Sequence, residues 1–237
     1  MTKISDKYAE YFDDRFLMGP NSIYLLEELL TKYPVHMSRK QTVLDLGCGK
    51  GLTSLFLARE VGASVYANDL WVGAEDNLKQ FIQWGIQDVV IPSREDANHL
   101  SFEPEIFDGV FSVDAYHYFA GKKGFFEKNI LPLVKKGGIV LISVPGIKDR
   151  YEGRQKELLG PWLGEEAEML RSPGWWRQLI GEGGEAAAVD VWEMDSFHSA
   201  WESWLSVDNK FAAGDKLHYE SIIEKYTDFV GIAVKKY

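Results

Sequence analysis

Gly47, Gly49 and Gly51 alternate in the string Val43-Leu44-Asp45-Leu46-Gly47-Cys48-Gly49-Lys50-Gly51, which follows a short apolar run and opens a helical one. Glycines at alternate positions let a backbone turn sharply and let a ligand approach without meeting a Cβ. Two kinds of ligand use such a turn. A dinucleotide needs the spacing G-x-G-x-x-G, so that helix N–H groups face its pyrophosphate. Here the spacing is G-x-G-x-G, and Leu52 stands where that pattern needs glycine. Asp45 also precedes the turn by two residues. A carboxylate in the crevice repels a pyrophosphate and attracts a cation or orders water, so the turn favours a ligand that carries positive charge.

The elements that must position this turn alternate along the chain. Short, nearly continuous apolar runs read as buried parallel strands at Thr42–Leu46, Ser64–Asp69, Val89–Pro92, Phe107–Val113 and Gly138–Val144. Amphipathic stretches between them predict helices at Leu52–Val61, Ala74–Trp84 and Lys122–Val134, with Gly62, Gly85 and Gly137-Gly138 where they should stop. Ile23–Tyr33 predicts a further helix with Leu25, Leu26, Leu29 and Leu30 on one side, and residues 1–20 an added helix or arm. From Gly146 to Glu185 the pattern breaks into short helices and turns. Ala186–Glu193 and Asp228–Val234 are sixth and seventh strand candidates. Between them Phe197, Ala200, Trp201, Trp204 and Leu205 recur at helical spacing. The turn thus lies beyond the carboxyl end of the first strand, where open α/β sheets hold ligands.

The 237 residues carry 26 Lys+Arg against 36 Asp+Glu, a formal net charge of −10. Without a basic stripe to meet phosphates, nucleic acid is excluded as a partner, and so is stable association with an anionic membrane. The longest apolar run, Ile139 to Val144, falls far short of the roughly 20 residues of a membrane span. The first residues hold no apolar signal segment. Cys48 is the single cysteine, which excludes a disulfide framework and a Cys-based zinc site. A cytoplasmic location is expected. Six of the eight tryptophans, and −7 of the net charge, lie beyond residue 150.

DLGCGKG, followed by Ala67-Asn68-Asp69 at the end of the second strand, resembles the S-adenosylmethionine site of the class I methyltransferases over roughly residues 40–146. The resemblance implies that Asp45, Gly47 and Gly49 lie along the methionine part of the cofactor, with Cys48 contributing mainly its backbone. It assigns Asp69 to the two ribose hydroxyls; a carboxylate suits a diol because it offers acceptors and no donor. Leu70 or Trp71 would cover the adenine face, and Asp96, with Ala97, would read the adenine amino group. FDGVFSVDAYHYF matches the segment beneath the sulfonium, so Asp114 to Tyr118 should line the reaction centre, with Asp114 also facing the cofactor.

Methyl transfer from a sulfonium is a direct displacement, so the protein mainly aligns the acceptor and excludes water. A base is needed only where the acceptor must be helped to lose a proton. The candidates are His117, Asp114 and Tyr116, with Tyr118 and His198 beside them; His117 ranks first because its ordinary pKa suits proton transfer. The competing reading is a histidine hydrogen-bonded at the rim. Acceptor recognition falls to the arm Tyr8–Asn21, with Tyr11, Phe12, Phe16 and Met18-Gly19-Pro20-Asn21, to Tyr118, and to Trp175 and Trp176, of which one should be buried because successive residues cannot share a helical face. Trp192, Trp201 and Trp204 read as core packing.

The expectation is an α/β fold with a seven-stranded, mostly parallel sheet, helices on both faces and the last strand antiparallel. A single domain, 1–237, would comprise an arm (1–35), a cofactor-binding core (40–146) and acceptor-side helices and final strands (147–237). The expected activity is S-adenosylmethionine-dependent methyl transfer to a small molecule, with no metal and with the oligomeric state open. A non-catalytic S-adenosylmethionine-binding regulator and an NAD-dependent oxidoreductase are the alternatives.

Overall fold

In a computed structural model, residues 3–181 and 187–237 are described. β1 (Thr42–Leu46), β2 (Ser64–Asn68), β3 (Val90–Ser93), β4 (Phe107–Val113), β5 (Val134–Ile147), β6 (Ala187–Glu193) and β7 (Thr227–Lys236) form one sheet in the order β3-β2-β1-β4-β5-β7-β6. β1 to β5 pair in parallel, and β7 runs antiparallel to both β5 and β6. The expected sheet is therefore present. Ala186, the first residue expected in β6, lies outside the described residues, as do 182–185.

Alternate residues of the strands feed two cores, because successive side chains of a strand point to opposite faces. Val43, Val65, Phe111 and Leu141 join one core with Leu25, Leu26 and Leu29 of α1 (Ser22–Lys32), Leu52, Leu55 and Phe56 of α2 (Leu52–Phe56) and Phe81 of α3 (Ala74–Gln83). Leu44, Val110, Val140 and Ile142 join the other, which holds Tyr116, Phe126 and Ile130. Asn21 caps α1, its Oδ1 accepting from the Ile23 N–H at 3.0 Å.

Beyond β5 come α4 (Gln155–Leu163), α5 (Pro173–Gly181), α6 (Phe197–Leu205) and α7 (Lys210–His218). α6 occupies the span its apolar spacing predicts, with Phe197, Ala200, Trp201 and Trp204 buried. A short 3₁₀ segment, Gly164–Met169, lies between α4 and α5.

Two expectations are corrected. The helix expected over Lys122–Val134 is broken into a π turn, Phe126–Ile130, and a 3₁₀ turn, Leu131–Leu133, and Val134 already belongs to β5. Pro132 lacks the N–H that a continuing α-helix needs, and its ring crowds the preceding turn. β5 is longer than Gly138–Val144 at both ends. At its start the pairing with β4 skips from Phe107–Val134 to Gly109–Ile139, so the intervening residues bulge. Past Ser143 the strand pairs with β7 alone, and a strand with one free side tolerates Pro145.

Candidate functional site

The strand order reverses between β1 and β4, and the loops after β1, β2, β3 and β4 converge there around a cavity of ≈570 Å³. Its floor is the glycine turn. The Gly47 and Cys48 N–H groups both donate to the Asn68 carbonyl, at 2.8 and 3.1 Å, which folds the turn onto the end of β2. Gly47 has φ +79°, and a Cβ there would stand 2.3 Å from the Ala115 Cβ, so no larger residue fits without moving the loop after β4.

Two acids brace the turn. Asp45 is fully buried; its Oδ2 accepts from Thr53 Oγ1 at 2.7 Å and Ser54 Oγ at 2.6 Å. Its Oδ1 has no partner. Burial pushes its carboxyl up to about 6 against the pull of those two hydroxyls, and the nearby Asp69 adds to the rise. Asp69 Oδ2 accepts from the Gly49 N–H at 2.8 Å, while its Oδ1 accepts from the Trp71 and Val72 N–H groups, each at 2.8 Å. Of the roughly four acceptor positions of a carboxylate, one remains open on Oδ2.

Asp96 lines the rim after β3, where its Oδ1 takes both the backbone and side-chain N–H of Asn98, which hold its carboxyl below the ordinary range. Asp114 directly follows β4 in the left-handed region, φ +56°, a costly conformation for a residue with a Cβ. Its N–H is fixed to the Ser143 carbonyl at 2.8 Å, and the neighbourhood is tight: a Cβ on Gly19 would stand 2.9 Å from Asp114 Oδ2. Burial, with a smaller push from Asp215, raises this carboxyl to about 7.

The sequence candidates divide here. Gly47, Cys48, Gly49, Asp69, Leu70, Asp96, Ala97, Asp114, Tyr118 and Phe16 all line the cavity. Asp45, fully buried in β1, is not among the lining residues and meets the site through Thr53, which lines it. Tyr11 does not reach the lining; it packs edge-on against Phe16 and Trp84. Tyr116 and Trp176 are buried in the second core with rings 5.9 Å apart, and Trp175 stands edge-on to Trp176. His117 is also buried outside the lining, its Nδ1 without a partner and its ring 4.0 Å from that of Tyr118; burial lowers its pKa to about 3. His198 lies 3.3 Å from the Tyr219 hydroxyl, away from the cavity.

The structure adds residues that the sequence did not single out. Asn68 Oδ1 accepts from Ser93 Oγ and the Glu95 N–H, and its Nδ2 donates to the Glu95 carbonyl, so it ties the β2 and β3 loops together. Its place beside Asp69 was the available signal. Glu166 and Met169 reach the cavity from the 3₁₀ segment after α4. No motif marks them. Met18, Gly19 and Pro20, by contrast, belong to the arm that the sequence assigned to acceptor recognition, and they too line the cavity.

Residues 44–142 match the sequence family described as "Methyltransferase domain". Over 103 residues the chain is 35% identical to the 2-methyl-6-phytyl-1,4-hydroquinone methyltransferase of Synechocystis sp., an alignment covering 43% of this chain and 31% of that protein. Over 148 residues it is 27% identical to the glycine/sarcosine/dimethylglycine N-methyltransferase of Actinopolyspora halophila, covering 62% and 26%. The chain thus spans less than a third of the length of either relative. Among solved structures it resembles Haemonchus contortus phosphoethanolamine N-methyltransferase 2 in complex with S-adenosyl-L-methionine, with TM-score 0.74, 21% identity and 99% of this chain against 57% of that one. It also resembles Streptomyces coelicolor geranyl diphosphate C-methyltransferase, with TM-score 0.71, 14% identity and 100% against 99%. The sequence match to that domain begins in β1 and ends in β5, the strands whose loops build the cavity, and the chain as a whole has the class I methyltransferase fold.

Proposed function

We propose that the cavity binds S-adenosylmethionine and that the protein transfers its methyl group to a small molecule. The observation that carries this reading is the glycine turn held against Asn68 over a buried carboxylate, Asp45, whose Oδ1 lacks a partner. The lining fits a sulfonium in charge: it holds Asp69, Glu95, Asp96, Asp114 and Glu166 against Lys50. In size it falls within the range of small-molecule sites. The match to a methyltransferase domain supports the same ligand.

When bound, the cofactor supplies a methyl group already activated by the positive sulfur. The chain's own part is positioning. Gly47 and Gly49 admit the ligand to the backbone, and Asp45 presents negative charge beneath them. Asp69 receives one ribose hydroxyl on its open Oδ2 position, and Leu70 covers the adenine, whose amino group reaches Asp96. The arm through Phe16–Pro20 and the loop Asp114–Phe119 exclude water. Within this division residues 1–35 act as the arm, 40–146 hold the cofactor and 147–237 complete the acceptor side. His117, buried and neutral, supports Tyr118 rather than acting as a base, which leaves Asp114 as the proton acceptor. A cytoplasmic location fits the acidic composition with its single cysteine, and among the described residues no helix is long and apolar enough to cross a membrane.

Calorimetric titration tests the reading. S-adenosylhomocysteine is expected to bind wild type and to fail with Gly47→Val. Tighter binding of NAD would replace this function with a hydride-transfer one. Binding without turnover across thiols, amines, phenols and carbon acids would leave a regulator.

A further inference from the structure

The part of the cavity outside the cofactor motifs has its own chemistry. Four large apolar side chains that are otherwise exposed, Met18, Trp71, Tyr118 and Met169, gather around this one opening beside Leu70. Trp71 and Tyr118 are 64% and 43% exposed, and their rings meet edge to face at 4.9 Å, so broad faces are left toward solvent. Folding does not bury these surfaces, and an apolar body laid against them would. Asp114, Tyr118 and Glu166 line this same cavity, and the charges of both carboxylates act on the Tyr118 hydroxyl. Glu166 is the one acid that the segment beyond residue 146 brings to the lining among the described residues. The counter-charge is missing: Lys50 is the sole basic residue of the lining among the described residues, and its Nζ donates to the Asp14 carbonyl at 3.2 Å. An anionic acceptor would meet carboxylates without a cation to offset them, at a cost that grows as water is excluded.

We propose that the methyl acceptor is an amine with an aromatic or similarly flat apolar body, its nitrogen received as an ammonium between Asp114 and Glu166 and its body lying against Trp71, Tyr118 and Met169. This rests on the methyltransferase reading. An ammonium is attracted both by the carboxylates and by the ring faces. Before transfer the ammonium gives one proton to the Asp114 carboxylate. The freed nitrogen lone pair forms the new N–C bond as the C–S bond breaks, its electron pair remaining on sulfur. The methylated nitrogen leaves as a cation, and Asp114 returns its proton to water. A carboxyl raised to about 7 takes and returns a proton readily at neutral pH.

The test uses protein saturated with S-adenosylhomocysteine, titrated calorimetrically with tryptamine and 2-phenylethylamine and with their isosteric acids, indole-3-propionate and 3-phenylpropionate. At least one amine is expected to bind tenfold or more tightly than its matching acid. Glu166→Gln and Asp114→Asn should each reduce that preference at least fivefold, and Trp71→Ala should weaken amine and acid alike. Equal or tighter binding of the acids, or no binding by either amine, overturns the acceptor assignment and leaves the cofactor reading standing. Failure of S-adenosylhomocysteine to bind wild type removes the cofactor reading itself, and the two failures are therefore separate.

Discussion

His117, whose chemistry looks catalytic in the sequence, is buried by the fold outside the cavity lining. It is 7% exposed, its Nδ1 has no partner, and burial alone lowers its pKa to about 3. The unfolded chain takes up a proton near pH 6.5 and the folded one does not. The neutral side chain's contribution is therefore complete above about pH 6.5 and is lost as pH falls toward 3, by about 2 kcal/mol at pH 5. The carboxyls of Asp45 and Asp114, raised to about 6 and 7, act in the opposite sense, but they are common to wild type and variant. Urea unfolding of His117→Phe and wild type at pH 8 and pH 5 should show the variant gaining that amount relative to wild type on acidification. Parallel behaviour would mean that His117 titrates freely. Asp69 makes the second prediction at this scale. It fixes the N–H groups of Gly49, Trp71 and Val72, and Asp69→Asn takes away both the charge and one acceptor oxygen. A charged hydrogen bond is worth about 1.5–3 kcal/mol, so S-adenosylhomocysteine affinity should fall about tenfold to a hundredfold in calorimetry. Unchanged affinity would remove Asp69 from the ribose assignment. The glycine turn, Asp69, Asp96 and Asp114 were legible because each sits at the end of a strand and the sheet brings strand ends together. Glu166 and Met169 were not, since what carries them to the cavity is the packing of α4, which no local pattern encodes.

That packing has an identifiable hinge point among the elements. Asp215 of α7 accepts from the indole N–H of Trp162, in α4, and of Trp204, in α6, each at 2.8 Å. One carboxylate thus ties three helices, and the 3₁₀ segment bearing Glu166 and Met169 continues directly from α4. Asp215→Ala leaves two indole donors without acceptors, at about 1–3 kcal/mol for each that stays buried. The expected outcome is a stability loss of about 2–4 kcal/mol in urea, with amine affinity lowered more than S-adenosylhomocysteine affinity. Equal losses for both ligands would show that the tie supports the whole molecule rather than the acceptor wall. Elements with a strong period were legible: β1, β4 and α6 begin and end where the sequence puts them. The helix expected at Lys122–Val134 was misread because apolar spacing outweighed Pro132, and the true length of β5 depends on β7, a partner far along the chain.

At the scale of the molecule the cavity joins four strand ends to the N-terminal arm and to the segment after α4, so a ligand there touches all of them at once. S-adenosylhomocysteine at a hundred times its dissociation constant should add about 2.7 kcal/mol. For a chain of this size that raises the thermal midpoint by about 5–11 °C, measurable by calorimetry. No shift in wild type would contradict a cofactor site. The acidic skew of the last third proves to be mostly surface: Glu152, Glu157 and Glu165 pair with Arg171, Arg154 and Lys156, and Glu166 faces the cavity. The sign of the charge was readable from composition, but its placement required the fold.

The position of β7 bears on how the chain is made. β6 pairs with β7 alone, and β7 lies between β5 and β6 although it follows both in the chain. On the ribosome, β1 to β5 can assemble as they emerge, while residues 187–193 wait with no neighbour to accept their N–H groups. Val230 and Ile232, both fully buried, arrive after β6 and complete the second core. Until then an unpaired edge of β5 and the apolar face of α5 stand open to other chains. The interval between the emergence of β6 and that of β7 is therefore when a nascent chain has most need of a chaperone.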